Sequence, residues 1–243
     1  MKTSNIMPSS VALTAALMLL PALSANSVTF LGSDPGHQLG ASATFDAVGS
    51  VLTVTLANTY SGNVVDQAHV LTGIFFSGAN GLTPLTAQAT GWKWIDGAKT
   101  AVNNLNVGAE WQYLSGLSGA PGGATAGISS SGLGLFHAGN FGGAGNNLDG
   151  SSYGLLSSGY LGDYQDGLRG RLYLQNSTVF TLSGFSGSLT DIDGVSFQYG
   201  TSLSEPNVDG NVVVATVPDH GATALLLGLS MASLIAWKRF PIR

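Results

Sequence analysis

The chain has 243 residues, 35 of them glycine, and only 9% are Asp, Glu, Lys or Arg, against roughly 25% in an average soluble protein. That excludes an ordinary charged helical protein, and 44% apolar residues also exclude a disordered polyelectrolyte. Cysteine is absent, which removes disulfides, thiol nucleophiles, thiolate zinc sites and haem attachment together.

The first element is a targeting segment. Lys2 precedes an apolar run from Val11 to Leu20, followed by Pro21 and the small residues Ala22, Ser24 and Ala25. A basic start, a short apolar stretch and small side chains predict a secretory signal peptide over 1–25, cut by signal peptidase between Ser24 and Ser27. Ten apolar residues rise about 15 Å as a helix, half of a hydrocarbon core, so a permanent span is not predicted here.

Residues 26–216 are predicted to form an extracytoplasmic domain, and its strongest pattern is a period of two. Ser50 to Ala57 reads SVLTVTLA, with Leu52, Val54 and Leu56 on one face and Val51, Thr53 and Thr55 on the other. Ala41 to Phe45, joined to it through Asp46 to Gly49, makes a hairpin. Further strands are predicted over 68–76, 109–114, 168–174, 178–183, 195–199 and 211–217. No amphipathic helix of comparable clarity occurs. Around eight short strands with Asp-Gly and Asn-Gly turns predict an all-β, antiparallel β-sandwich, of which the jelly roll is one form. Between Gly116 and Gly170, 17 of 55 residues are glycine. Glycine offers nothing to pack, so this stretch is predicted to be long Gly/Ser-rich loops within one domain, the alternative being a linker between halves ending near Ser115 and starting near Leu168.

Within the domain only Lys93, Lys99, Arg169 and Arg171 are basic, against twelve acidic residues from Asp34 to Asp209, a net charge of −8. Four cations cannot neutralise a run of phosphates, so nucleic acid is excluded as a partner. Trp92 and Trp94, two apart, share one face of a strand and form a candidate glycan-stacking pair if exposed, or core if buried. Trp111 and Tyr113 repeat the spacing. Asp191 and Asp193, like Asp163 and Asp166, are weak Ca²⁺ candidates, since hard carboxylate oxygens lie close together. Neither pair completes a calcium loop, and five Asp-Gly pairs are the signature of turns. No other metal or cofactor is expected: His37, His69 and His137 lie far apart, and no glycine motif completes a nucleotide fingerprint. Gly150-Ser151-Ser152-Tyr153-Gly154 fits the nucleophile pattern G-x-S-x-G, which would make Ser152 a hydrolase nucleophile, but composition alone yields roughly 0.6 such matches in a chain this rich in Gly and Ser. The domain is therefore read as non-catalytic.

The last element, 217–243, has three parts: Val217-Pro218-Asp219-His220-Gly221, an apolar run from Ala222 to Trp237, and Lys238-Arg239. Sixteen residues of helix rise about 24 Å, and Trp237 with the basic pair can extend the span into the interface, which predicts a C-terminal transmembrane helix. Lys238 and Arg239 act as the basic membrane stop on the cytoplasmic side. The basic end also separates this tail from a GPI signal, which ends in its apolar stretch.

This arrangement resembles the C-terminal sorting signals of bacterial exosortase substrates, the PEP-CTERM class, in the variant written Val-Pro-Asp-Ser-Gly. Val217, Pro218, Asp219 and Gly221 match that motif, His220 stands where serine is usual, and Thr223 and Leu225 to Gly228 fit the same pattern. Residues 181–185 and 195–201, with Glu205-Pro206, look like the closing strands of a family of exosortase-dependent surface proteins. The resemblance implies an exported precursor held in the inner membrane, cut near the motif by an exosortase-like membrane protease or transpeptidase, and delivered to the cell surface or released; extracellular polysaccharide is a prospective partner on the separate glycan-stacking reading of Trp92 and Trp94. It implies no catalytic residues.

Overall fold

The computed structural model describes residues 26–63, 66–142, 145–162 and 166–213. The predicted signal peptide 1–25 and the tail 217–243, with its motif, apolar run and basic pair, lie outside the described residues, as do Asp163 and the side chain of Asp166. Thirteen strands follow in chain order: β1 (Asn26–Asp34), β2 (Leu39–Val48), β3 (Val51–Asn58), β4 (Leu71–Ser77), β5 (Thr83–Ile95), β6 (Ala98–Asn106), β7 (Gln112–Ser115), β8 (Ala126–Ser129), β9 (Leu155–Leu156), β10 (Leu172–Ser183), β11 (Asp193–Tyr199), β12 (Asn207–Asp209) and β13 (Asn211–Val213). The only helical elements among the described residues are three-residue 3₁₀ turns.

The all-β expectation holds, and β3 shows why: its residues alternate between buried and half-buried along the whole strand, with Leu52, Val54 and Leu56 inside. The sheet is mixed, however, not purely antiparallel. Its hydrogen-bonded path runs β12-β11-β4-β9-β10-β3-β2-β1-β13, and β9 lies parallel to β10. β1, β2 and β3 form a meander of consecutive neighbours, which departs from the alternation between facing sheets that a jelly roll requires. The two expected strands 168–174 and 178–183 are one, β10, which pairs with β3 on one side and β5 on the other.

The sheet folds so that its two parts face each other across one core. Phe45 of β2 meets Phe76 of β4 edge to face at 5.2 Å, and Trp111 meets Phe180 of β10 at 4.9 Å. Among the described residues, ladder pairing joins the two parts through β9 alone, where Leu155 pairs with Leu71 on one side and Leu174 on the other.

The Gly/Ser-rich stretch belongs to this body. Phe75 points away from the main core into a second cluster with Ala120, Ala124, Leu133, Phe136 and Leu148. Leu156, Tyr160 and Leu168 cover Trp94 and Tyr173 in a third. Glycine is needed here for close backbone approach: a Cβ at Gly139 would run into the Ala109 carbonyl, and one at Gly159 into that of Ser61.

Candidate functional site

β5 places Trp92 and Trp94 on one face, as their spacing predicts, but burial divides them. Trp94 is 5% exposed, edge to face with Tyr160 at 4.9 Å, and its indole N–H donates to Oε1 of Gln175 at 3.0 Å. It is core. Trp92 is 40% exposed, with the ammonium of Lys99 over its ring at 4.2 Å; the same nitrogen lies 5.1 Å from the Trp94 ring. The Asp96-Gly97 turn brings Lys99 back opposite Trp94 in the β5–β6 ladder. The ammonium covers one face of the Trp92 ring in a cation–π contact, and the rest of the ring stays exposed. Sequence reasoning missed Lys99, although an Asp-Gly turn two residues after Trp94 is the signal that would have found it. Trp111 and Tyr113 are buried, and the Tyr113 hydroxyl donates to the Ala79 carbonyl at 2.8 Å, so this pair is core as well.

Beneath this face Gln175 holds the covering loop. Its Nε2 faces the carbonyls of Ser157 (3.0 Å), Ser158 (3.2 Å) and Tyr160 (3.0 Å). Gln198 does the same for the turn at 199–206, with Nε2 facing the carbonyls of Tyr199, Ser202, Glu205 and Pro206 at 2.9 to 3.2 Å.

Of the carboxylates suggested for Ca²⁺, Asp191 serves the backbone. Asp191 Oδ2 accepts from the Ser188 N–H at 2.9 Å, closing a capping box around the turn Leu189–Asp191. Asp193 is exposed at the start of β11. Among the described residues no group of three or more His, Asp or Glu side chains converges on a metal-sized space. Ser152 sits in a turn followed by the two-residue β9, without the buried strand before it or the helix after it that a nucleophile elbow needs. Its neighbour Ser151 is the buried one, sharing a hydrogen bond with the Tyr173 hydroxyl at 2.8 Å. His37 is tied to Asp34 at 2.6 Å, which holds that carboxyl below its usual range.

A groove of about 1050 Å³ opens at the end of the core where β1 starts and β13 ends. Val28, Phe30, Phe185, Leu189, Ile192 and Val212 give it an apolar lining, and Asp193 stands on its wall. No Lys, Arg or His among the described residues lines it. Sequence reasoning did not anticipate it, because its walls come from β1, β2, the 185–194 segment and β13, which only the fold assembles.

Compared with models of protein families, with curated proteins and with solved structures, the chain finds no match in any of the three. Among the described residues no helix is long and apolar enough to cross a membrane.

Proposed function

We propose that the chain is an exported, non-catalytic surface or extracellular-matrix protein of a bacterium, sorted by an exosortase-type membrane protease once signal peptidase has removed residues 1–25. In this reading 26–216 is a sandwich-type extracytoplasmic domain and 217–243 the sorting signal, with a transmembrane helix over 222–237 and Lys238 and Arg239 at its cytoplasmic end. The observation that carries it is the tail: Val217, Pro218, Asp219 and Gly221, then an apolar run, then a basic pair, in that order. The described domain supports it. β13 lies antiparallel to β1, with Thr29 opposite Val213, so the start of β1 and the end of β13 share one end of the domain. Until signal peptidase acts, segments 1–25 and 222–237 share one bilayer in this reading, and chain ends that leave the domain at the same end reach it most directly.

The deciding experiment is the intact mass of the protein from its native host, taken separately from inner membrane, cell surface and medium. A mass ending near Asp219 at the surface or in the medium is the expected result. A mass running through Arg243, found only in the inner membrane, makes the tail a permanent anchor and removes the exosortase reading. Pro218→Ala or Asp219→Ala should leave the uncut form in the membrane fraction.

A second reading, a carbohydrate-binding surface module acting on extracellular polysaccharide, draws on the exposure of Trp92 beside Lys99. It predicts retention on a glycan column that disappears with Trp92→Ala. Ser152 as a hydrolase nucleophile is left with no structural context, and a fluorophosphonate probe should leave the protein unlabelled.

A further inference from the structure

The tip of the β1–β2 hairpin holds an acid-sensitive peptide bond. Asp34 ends β1 and Pro35 opens the 3₁₀ turn Pro35–His37, and of the eight prolines in the chain only this one follows an aspartate. An aspartate carboxylate reaches its own backbone carbonyl carbon by closing a five-membered ring. Proline makes such an attack productive: its nitrogen belongs to a tertiary amide and departs as a basic secondary amine.

What the bond still needs is an acid, and the turn supplies one. Gln38 donates its N–H to the Pro35 carbonyl at 3.2 Å, closing the turn. The backbone N–H of His37 then donates to Asp34 Oδ1 at 3.2 Å, and the ring Nδ1 of His37 lies 2.6 Å from Oδ2. The hydrogen bond from His37 holds the carboxyl ionised, below the usual carboxylate range, so once the imidazole is protonated a nucleophile and an acid stand side by side. Of the charged groups among the described residues, His37 alone acts on this carboxyl. Water reaches both side chains, at 74% exposure for His37 and 40% for Asp34. Gly36 keeps that approach clear, since a Cβ there would stand 3.4 Å from Oδ1.

We propose that this turn cuts its own chain between Asp34 and Pro35. A carboxylate oxygen of Asp34 bonds to the carbonyl carbon of the same residue, the carbon–nitrogen bond to Pro35 breaks, and the proton on His37 passes to the prolyl nitrogen. Water then opens the cyclic anhydride to two carboxylates on Asp34. Of the two protons released, one goes to the new amine and one returns to His37, so only water is consumed. The cut leaves the domain assembled: β1 keeps nine register positions with β2 and three with β13, and Phe30 stays in the core. The product is a domain whose first strand is held by pairing and packing alone. This goes beyond the sorting reading and does not depend on it, since every residue involved lies in the described domain.

The purified full-length chain is held in detergent with protease inhibitors at about pH 5.5, where free histidine is mostly protonated, and at about pH 8. Samples are unfolded before detection, because the nicked domain stays together. A large fragment with Pro35 at its N-terminus should build up at the lower pH, at a rate independent of protein concentration. Asp34→Ala should abolish it. His37→Ala should slow it by about 100-fold, the lower end for a positioned acid, and added imidazole should restore part of the loss. Both positions are exposed, and an unchanged melting temperature shows that the variants fold. Wild-type chain in urea should cut no faster than His37→Ala, because only the intrinsic weakness of the bond remains. An intact bond at both pH values overturns the proposal. So does equal cutting of the folded chain, the urea-unfolded chain and His37→Ala, which would be ordinary acid lability, and so does a rate that rises with protein concentration, which would mean one molecule cutting another.

Discussion

Trp94 and Gln175 are joined by a 3.0 Å hydrogen bond inside the domain, the indole N–H donating to the amide oxygen, while the amide nitrogen of the same glutamine faces three loop carbonyls. One side chain thus orients an aromatic ring and pins the loop that covers it. Both functions suit an amide at neutral pH, because it presents a donor and an acceptor on the same fork without a charge.

Gln175→Leu should therefore cost about 3 kcal/mol in urea denaturation, since the indole N–H and the carbonyls of 157, 158 and 160 lose their partner in a buried site. Gln175→Glu should be worse at neutral pH, where a carboxylate would face carbonyl oxygens. Such a carboxyl has its pKa raised by folding, so its deficit should shrink as pH falls and the protonated form regains a donor.

The tryptophan pair separates stability from surface recognition. Trp94→Ala should cost about 3 to 5 kcal/mol, because a buried ring and its hydrogen bond are lost. Trp92→Ala should cost under about 1 kcal/mol, the worth of an exposed ring and its cation contact. Paired denaturation curves check both values, and an equal cost at the two positions would contradict the division of burial described above.

One strained backbone position lies in the pairing of β5 with β10. Asn176 has φ 122° and lies opposite Gly91, φ 99°, at a register shift in the β5–β6 ladder. Asn176→Gly should raise stability by about 1 kcal/mol through relief of that strain. Gly91→Ala should cost about 2 kcal/mol or more, since the new Cβ would meet the Asn176 side chain and the Gln175 carbonyl. Calorimetry resolves both, because 1 kcal/mol shifts Tm by about 2 to 4 °C in a domain of this size.

Asp46 sets a pH dependence. Burial raises its carboxyl above the usual value, so the folded domain holds this proton to a higher pH than the unfolded chain does. In the window between those two values stability falls as pH rises. Asp46→Asn should raise Tm at neutral pH, and its advantage should vanish below about pH 4, near the unperturbed Asp pKa, where the carboxyl is protonated in both states.

How much of this was legible in the sequence depends on which faces of a strand are buried. β3 and the β2 hairpin show a clean period of two because one face meets the core and the other is half-exposed, and the expected boundaries fall within a few residues. β5 was read only at its Trp92 and Trp94 spacing and β6 not at all: β5 contains Pro84 and Gly91, and β6, AKTAVNNLN, is an edge strand exposed along most of its length, so neither carries a continuous hydrophobic stripe. β4 is buried on both faces, which gave a continuous apolar run readable as a strand without revealing that Phe75 serves a different cluster from Phe76. The Trp92 and Trp94 spacing was readable, but not which ring is covered, because the cover is a loop from residues 156–168 held by Gln175.

The order of strands in the sheet has a consequence for the growing chain. β3 ends at Asn58 and one of its two neighbours, β10, begins only at Leu172; β1 waits for β13, the last described strand. The first three strands can therefore pair with one another early, but both outer edges of that meander stay open until almost the whole domain has been delivered. Contacts this distant in sequence form slowly, and open strand edges recruit other chains in the meantime. The period of greatest hazard for misassembly is thus set by the rate at which the chain arrives, and it ends only when the final strands exist.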